Sequence, residues 1–304
     1  MRYGKYRFLA GFLLLPLALY SVLVLSPYGQ AFYLAMTDWR GVSAQRKFIG
    51  ADNFVRLAHD PMFWAALRNN GLMLLVVPLT TVTLALVLAS LLNLGGRGRR
   101  AAVEGVRGAA VYKIVYFFPQ VLSVTVVAVL WNFIYTPNSG LLNGFLNAIG
   151  LGGLTDSWLA DPGVALWAVM AVMVWSAVGF YVVLFSAAMQ SIPREVLEAA
   201  LLDGAGPLAT FRHITLPLVW ENVQVALVYL GILAMDGFAL VQIMTVGPGG
   251  PDNSTEVLGL GLWRNAFTYG RFGYASALGV SIFFFTLTLA ALTLRLSRRE
   301  RIEY

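Results

Sequence analysis

The sequence predicts an all-α polytopic membrane protein with six transmembrane helices. Of its 304 residues, 59% are hydrophobic and 12% are charged, about half of the charged fraction of an average soluble domain. The apolar residues fall into long runs, and one concentrated polar stretch separates two of these runs near the middle of the chain. We therefore interpret residues 1–304 as a single transmembrane domain.

Each predicted span is an apolar run of at least the length that crosses a bilayer, which is about 20 residues of α-helix. Arg2, Lys5 and Arg7 precede the first run, as they would in a signal peptide. That run is long and no small-residue cleavage site follows it, so we predict a retained span. The predicted spans are residues 8–25, 72–92, 114–135, 164–189, 218–246 and 274–294.

The basic residues predict the orientation of these spans. With the N-terminus inside, the segments on the cytoplasmic side hold 14 of the 21 Lys and Arg residues. Because cytoplasmic loops are enriched in Lys and Arg, we predict that both termini, residues 95–113 and residues 191–217 face the cytoplasm. The polar stretch is then a cytoplasmic loop between the fourth and fifth spans.

Several classes of chemistry have no residues to support them. A phosphate-binding loop needs Lys before Ser or Thr, but Lys5, Lys47 and Lys113 precede Tyr, Phe and Ile. The chain has no cysteine, and its two histidines lie far apart in sequence, so we predict no metal site. We also find no catalytic cluster and no basic face for nucleic acid. The net charge of +6 suits anionic lipid headgroups.

Residues 191–217, which we call the polar segment, have the pattern of two short helices joined by a tight turn. Pro193 fits the first turn of a helix, and residues 196–202 are good helix formers. Gly204 can end that helix in a left-handed conformation, and Pro207 can open the next one. The segment has no catalytic group, so it predicts a docking site for another protein.

The polar segment resembles the EAA loop of binding-protein-dependent ABC importer permeases, in which this loop is the coupling helix that docks into the cytoplasmic ATPase. Residues 131–147 and 246–267 resemble corresponding segments of sugar and glycerol-phosphate permeases. The positions that resemble the EAA loop are Glu198, Ala199, Ala200, Asp203, Gly204, Ala205, Gly206, Ile214, Leu216 and Pro217.

The resemblance implies a permease subunit that moves a mono- or oligosaccharide delivered by an extracytoplasmic binding protein. It also implies a second homologous permease, a prokaryotic cell membrane, and two ATPase subunits that hold ATP and Mg, with no cofactor on this chain. A glycerol-phosphate or polyol importer of the same family is the alternative. A self-contained secondary transporter is the rival class, and the lack of a clear internal repeat argues against it.

Aromatic, amide and acidic side chains in the spans are candidates for lining a sugar pathway, because sugars offer apolar faces and hydroxyl groups. Trp and Tyr at span ends also serve as interfacial anchors, and Asp236 fits either a substrate contact or a helix cap. Glu221 fits an anchor that reaches the cytoplasmic face. The pathway candidates are Trp131, Asn132, Tyr135, Trp175, Tyr181, Tyr229, Asp236 and Gln242.

Overall fold

The chain is predominantly helical in the part that a computed structural model describes, which comprises residues 2–42, 45–94, 106, 108–245, 247 and 249–296. These ranges contain no β-strand, and one isolated antiparallel β-bridge joins Thr37 and Phe48. The all-α prediction is confirmed. Most basic residues of the 95–113 segment and of the C-terminal tail, on which the predicted orientation depends, lie outside these ranges, as does Val246.

The α-helices, numbered along the chain, vary in length from three to 34 residues. Their bounds are α1 Arg2–Tyr20, α2 Ser26–Ala35, α3 Asp52–Ala58, α4 Pro61–Leu94, α5 Ala109–Val121, α6 Val124–Ile134, α7 Leu141–Ala148, α8 Ala165–Gln190, α9 Arg194–Leu202, α10 Pro207–Thr210, α11 Leu216–Leu218, α12 Trp220–Met235, α13 Phe238–Met244, α14 Leu258–Trp263 and α15 Phe272–Leu296. Three π-helical turns lie between or after these helices. Ser21–Leu25 joins α1 to α2, Phe211–Thr215 joins α10 to α11, and Arg264–Thr268 extends α14.

Four described helical segments are long and apolar enough to cross a membrane: Gly11–Ala35, Pro61–Asn93, Ala165–Gln190 and Phe272–Leu292. Two bent pairs pass the same test, α5 with α6 at 99° and Pro207–Leu218 with α12 at 70°. If each pair is one span, the total is six. The chain is therefore polytopic, and the count of six stays a prediction.

The third predicted span, residues 114–135, is broken where α5 ends. Pro119 lies inside α5, where it offers no N–H to the carbonyl one turn earlier. Leu122 is extended, with φ −73° and ψ 143°. Ser123 then caps α6 by accepting a hydrogen bond from the Val126 N–H at 3.4 Å. A proline followed by a capping serine accounts for the bend.

One compact unit comprises Met1–Trp64 and Gly261–Phe285. Buried Asn53 donates from Nδ2 to the carbonyls of Ala35 at 2.8 Å and Thr37 at 2.9 Å, which satisfies the end of α2. The Tyr274 hydroxyl donates to Asp60 Oδ2 at 2.6 Å. Polar side chains thus join the short helix α3 and its neighbours within this unit.

The second unit comprises Ala65–Leu260 and Thr286–Tyr304, and it contains the whole polar segment. Its buried residues form two apolar clusters, one around Met73, Val169 and Val241 and one around Phe185 and Leu230. Helix α5 packs along α8 and α13 packs along α6. Gly179 of α8 faces the Tyr116 carbonyl of α5 so closely that a Cβ would overlap it.

Candidate functional site

The first arm of the polar segment is α9, which ends as the sequence predicts. Gly204 has φ +78°, and its N–H donates to the Leu201 carbonyl at 3.1 Å while the Ala205 N–H donates to the Ala200 carbonyl at 2.9 Å. These two bonds form a Schellman motif, which satisfies carbonyls at a helix end. Pro193 differs from the prediction, because it is the N-cap with φ −55° and ψ 134° and precedes the first turn.

The two faces of α9 have different environments. Leu197 is buried in the second apolar cluster, and Ala200 is also buried. The opposite face presents Glu195, Glu198, Ala199 and Leu202, which recur at the spacing of one helix face and are all exposed. Leu202 is 89% exposed, so this face ends in an apolar side chain that the described part of the chain does not cover.

The second arm of the polar segment begins at α10, where Pro207 is the first helical residue, as predicted. Leu208 is 79% exposed, so apolar side chains flank the turn at residues 203–206 on both sides. Ile214 and Leu216 pack against the second apolar cluster. Pro217 lies within α11, and the bend into α12 falls two residues later, at Val219 with φ −94° and ψ 7°. Glu221 is exposed in the first turn of α12.

The aromatic pathway candidates meet in a packed cluster. The Trp131 ring lies 5.0 Å from Tyr135 and 5.3 Å from Trp175, centroid to centroid. The Tyr135 hydroxyl donates to the Ala168 carbonyl at 3.2 Å, and Asn132 Nδ2 donates to the Ile243 carbonyl near the end of α13 at 3.1 Å. These four residues therefore hold α6, α8 and α13 together.

The other four pathway candidates are Tyr181, Tyr229, Asp236 and Gln242. Tyr181 is buried beside Phe180 and Phe185, whereas Tyr229 is 56% exposed. Gln242 is half-buried on α13. Among the eight candidates, only Asp236 lines the cavity that α5, α6, α8, α12 and α13 enclose.

A cavity of about 310 Å³ lies beside the places where two helical runs break. One wall comes from the end of α5 and the start of α6, another from α8, and a third from α12 and α13. It is lined by Val77, Pro119, Gln120, Leu122, Val124, Val127, Met173, Ser176, Ala177, Leu230, Leu233, Asp236, Gly237, Ala239 and Leu240. Gln120, Leu233, Asp236 and Ala239 are exposed, so the cavity opens at the surface of the chain.

The break between α12 and α13 at Asp236 and Gly237, which we call the inner break, divides the predicted 218–246 span. Asp236 has φ −95° and ψ 14°, and the Phe238 N–H donates to the Asp236 carbonyl at 2.7 Å. The carbonyls of Ala234 and Met235 therefore lack their usual helical partners. Asn70 Nδ2 lies 3.4 Å from each of these oxygens and donates to both.

Sequence reasoning missed the amides of α4 and the polar lining of the cavity. Asn70 Oδ1 also accepts from the Leu258 N–H at 2.8 Å, and Asn69 Nδ2 donates to the Ser254 and Glu256 carbonyls at 3.0 and 2.9 Å. Gln120 and Ser176 line the cavity. The sequence signal that could have found them is a polar side chain inside or beside an apolar run. Such a side chain needs a hydrogen-bond partner in a membrane. No group of three or more potential metal-ligating His, Asp or Glu residues occurs in the described ranges.

Comparison with known proteins places the chain among transport proteins. The family described as binding-protein-dependent transport system inner membrane component matches residues 98–302. A diacetylchitobiose uptake system permease protein of Streptomyces coelicolor is 46% identical, covering 98% of this chain and 84% of that protein. A multiple sugar-binding transport system permease protein of Streptococcus mutans is 30% identical, covering 96% and 95%.

The fold also matches a solved structure. A bacterial ABC transporter involved in the import of the acidic polysaccharide alginate contains a chain that superposes with a TM-score of 0.78 at 22% identity, covering 98% of this chain and 99% of that one. The helical fold and these matches define a membrane-spanning permease subunit of an ABC importer, a transport subunit without an ATPase site of its own. The chain belongs to the family of binding-protein-dependent transport system inner membrane components.

Proposed function

We propose that this chain forms half of the membrane pathway of a sugar importer, together with a second homologous permease. Two ATPase subunits that hold ATP and Mg would supply the energy, and an extracytoplasmic binding protein would deliver the sugar. The observation that supports a mono- or oligosaccharide most directly is the 46% identity to a permease named for diacetylchitobiose uptake. Relatives named for multiple sugars and for lactose, each 30% identical, support the same substrate class.

The polar segment is the proposed contact with the ATPase. Its tip combines exposed Leu202 and Leu208 with the Glu198 carboxylate, which has no side-chain partner among the described residues. Apolar side chains surrounded by polar ones are typical of a protein interface. The inner face of α9 packs against the apolar interior through Leu197 and Ala200. A movement of the tip would therefore be transmitted to the membrane helices.

The orientation needed for this contact places both termini and the polar segment in the cytoplasm. The excess of basic residues on that side, 14 of 21, supports it. Topology reporters fused after residues 105, 205 and 304 should therefore read cytoplasmic, and those fused near 45, 150 and 255 external. An external reading at residue 205 would exclude a cytoplasmic ATPase as the partner of the polar segment.

The proposed mechanism is alternating access. Closure of the ATPases would move the polar segment and switch the pathway between inward-facing and outward-facing states. Each ligand can drive this switch only to the extent that it binds the two states with different affinity. The cavity beside the two broken helices offers polar groups and an opening at the chain surface, and we propose that it belongs to the pathway.

The docking role can be tested in the assembled importer by replacing the exposed leucines at the tip. Burying a leucine contributes about 1.5–3 kcal/mol, so Leu202→Ser or Leu208→Ser should weaken ATPase association about 10- to 100-fold and lower uptake. Glu198→Lys should act in the same direction by reversing a charge at the interface. Co-purification of the ATPase and sugar uptake into vesicles are the measurements.

The matched control is Leu141→Ser. Leu141 is 74% exposed on α7, outside the polar segment, so its replacement should leave ATPase association and uptake unchanged. Normal ATPase association and normal uptake in Leu202→Ser, Leu208→Ser and Glu198→Lys would refute the docking role.

A further inference from the structure

The lining of the cavity is mostly apolar and includes one carboxylate. Of the described residues that line it, Asp236 alone is charged, while Gln120 and Ser176 are polar and the others are apolar or glycine. The volume of about 310 Å³ is at the lower end of the range for small-molecule sites, about 300–1,000 Å³. Apolar walls with a few polar groups suit a sugar, which has carbon faces and hydroxyl groups.

Asp236 lines the cavity, and its carboxylate is available to bind a ligand. It has no hydrogen-bond or ion-pair partner among the described residues. Its position follows from the inner break, because Asn70 holds the freed carbonyls of Ala234 and Met235. Gly237, the next residue, leaves room for Met73, whose Cε would lie 2.7 Å from an added Cβ.

We propose that Asp236 selects the charge class of the transported sugar, favouring neutral and amino sugars and disfavouring anionic ones. This inference rests on the proposed function. An anionic group beside a carboxylate is repelled, and the repulsion strengthens as water is displaced from the cavity. A sugar hydroxyl or ammonium group can instead donate to the carboxylate. An acidic polysaccharide, the cargo named for the structurally similar alginate importer, belongs to the disfavoured class.

The size of the preference follows from the separation of the two charges. Charges that lie about 5–8 Å apart in a partly hydrated site interact strongly enough to change an equilibrium by about 3- to 30-fold. The preference should fall toward unity when the charge is removed and return when a carboxylate is restored at this position. Asp236→Asn and Asp236→Glu are therefore the informative pair of variants.

The absence of cysteine from the sequence allows the potential in the cavity to be measured directly. In the assembled importer, Ser176→Cys would place a single thiol in the cavity lining, and Leu141→Cys would serve as the exposed reference. Reaction rates with cationic and anionic methanethiosulfonates of similar size give a ratio that cancels the reactivity of the thiol itself. The carboxylate should raise the rate with the cation and lower the rate with the anion by about 3- to 30-fold each. We therefore expect the cation-to-anion ratio at position 176 to exceed the reference about 10- to 900-fold.

The same ratio should approach the reference when Ser176→Cys is combined with Asp236→Asn, and it should recover with Asp236→Glu. A ratio that is unaffected by Asp236→Asn would overturn the inference. A ratio that already equals the reference with Asp236 present, and falls below it in Asp236→Asn, would also overturn the inference, because it would show that Asp236 is paired with a basic residue of another subunit.

Protection of the thiol at position 176 extends the test from reagents to sugars without the binding protein. Cellobiose, cellobiouronic acid and the glucosamine disaccharide are similar in size and differ in charge. We expect the uronic acid to need about 3- to 30-fold higher concentration for half-protection than cellobiose, and Asp236→Asn to remove the difference. Equal protection by the three disaccharides in the presence of Asp236 would overturn the inference.

Failure of this inference is distinguishable from failure of the proposed function. Suppose that the ATPase co-purifies and sugar uptake is normal, while the cation-to-anion ratio at position 176 is unaffected by Asp236→Asn. Only the proposed charge preference is then wrong. If Leu202→Ser and Leu208→Ser leave ATPase association intact, the docking proposal fails whatever the cavity measurements show.

Discussion

The sequence contains the Asp-Gly dipeptide twice, at residues 203–204 and 236–237, and each pair ends a helix in a different way. In the polar segment, Gly204 takes φ +78° and the chain's own N–H groups satisfy the end of α9. At the inner break, Gly237 keeps φ −63°, and Asn70 of another helix satisfies the freed carbonyls. The first ending is local, whereas the second depends on tertiary structure.

This difference matters because the two regions meet different surroundings. The turn at 203–206 is largely exposed, so water can hydrate any backbone polar group that the Schellman motif leaves without a partner. The carbonyls at the inner break lie beside buried Ala234 and Met235, where an unsatisfied polar group is costly. A helix can therefore be broken among apolar spans only where a neighbour supplies the missing hydrogen bonds.

The largest effect on this comparison is expected from Asn70→Ala. The change leaves two carbonyls and the Leu258 N–H without their partner, which should cost about 2–4 kcal/mol. We expect the melting temperature of the purified importer to fall by roughly 5–10 °C. Asn138→Ala is the control, because Asn138 is exposed and has no side-chain partner in the described ranges. Equal melting temperatures for both variants would show that the inner break does not depend on Asn70.

A smaller, local effect is expected from Gly204→Ala. The left-handed conformation costs a residue with a Cβ about 1–2 kcal/mol, although the added Cβ would meet no atom within 4 Å. We expect ATPase association to weaken about 5- to 30-fold and the melting temperature to fall by no more than a few degrees. Binding of the ATPase by the purified permease complex is the measurement.

Gly206→Ala is the matched control for this variant. Gly206 lies in the same turn with φ −74°, and it also has open space around its Cα, so alanine fits without strain. If the two alanine variants bind the ATPase equally well, the geometry of the Schellman turn does not contribute to docking.

The contrast also shows how far the sequence could predict the structure. The helices of the polar segment, the end at Gly204 and the start at Pro207 follow from local capping rules and are confirmed. The Asp236-Gly237 pair has the same turn signal, but it lies within an apolar run. Its outcome depends on Asn70, which lies 164 residues before Ala234, the first of the two residues whose carbonyls it binds. The pathway candidates illustrate the same limit, because composition alone cannot distinguish the packed Trp131 cluster from the lining of a cavity.

Asn132→Ala tests whether the aromatic cluster is structural. Loss of the 3.1 Å bond to the Ile243 carbonyl should cost about 1 kcal/mol and lower the melting temperature by a few degrees. The uptake rate per assembled complex should stay near normal, because Asn132 does not line the cavity. Gln120→Ala should show the converse, a normal melting temperature with slower uptake, since Gln120 is exposed at the cavity. Slow uptake in Asn132→Ala with normal stability would place this residue in the pathway.

The smallest effect is expected from Gly237→Ala, although the change is made within the inner break itself. With φ −63° the backbone accepts alanine without strain, and the nearest obstacle is the flexible end of Met73, at 2.7 Å. Because a methionine can move its terminal methyl group at low cost, we expect a loss of about 0.5 kcal/mol or less. The melting temperature should lie within about 2 °C of the unmodified importer. A loss as large as that of Asn70→Ala would mean that the inner break requires glycine, as the turn at Gly204 does, and that the two Asp-Gly endings differ less than their hydrogen bonds indicate.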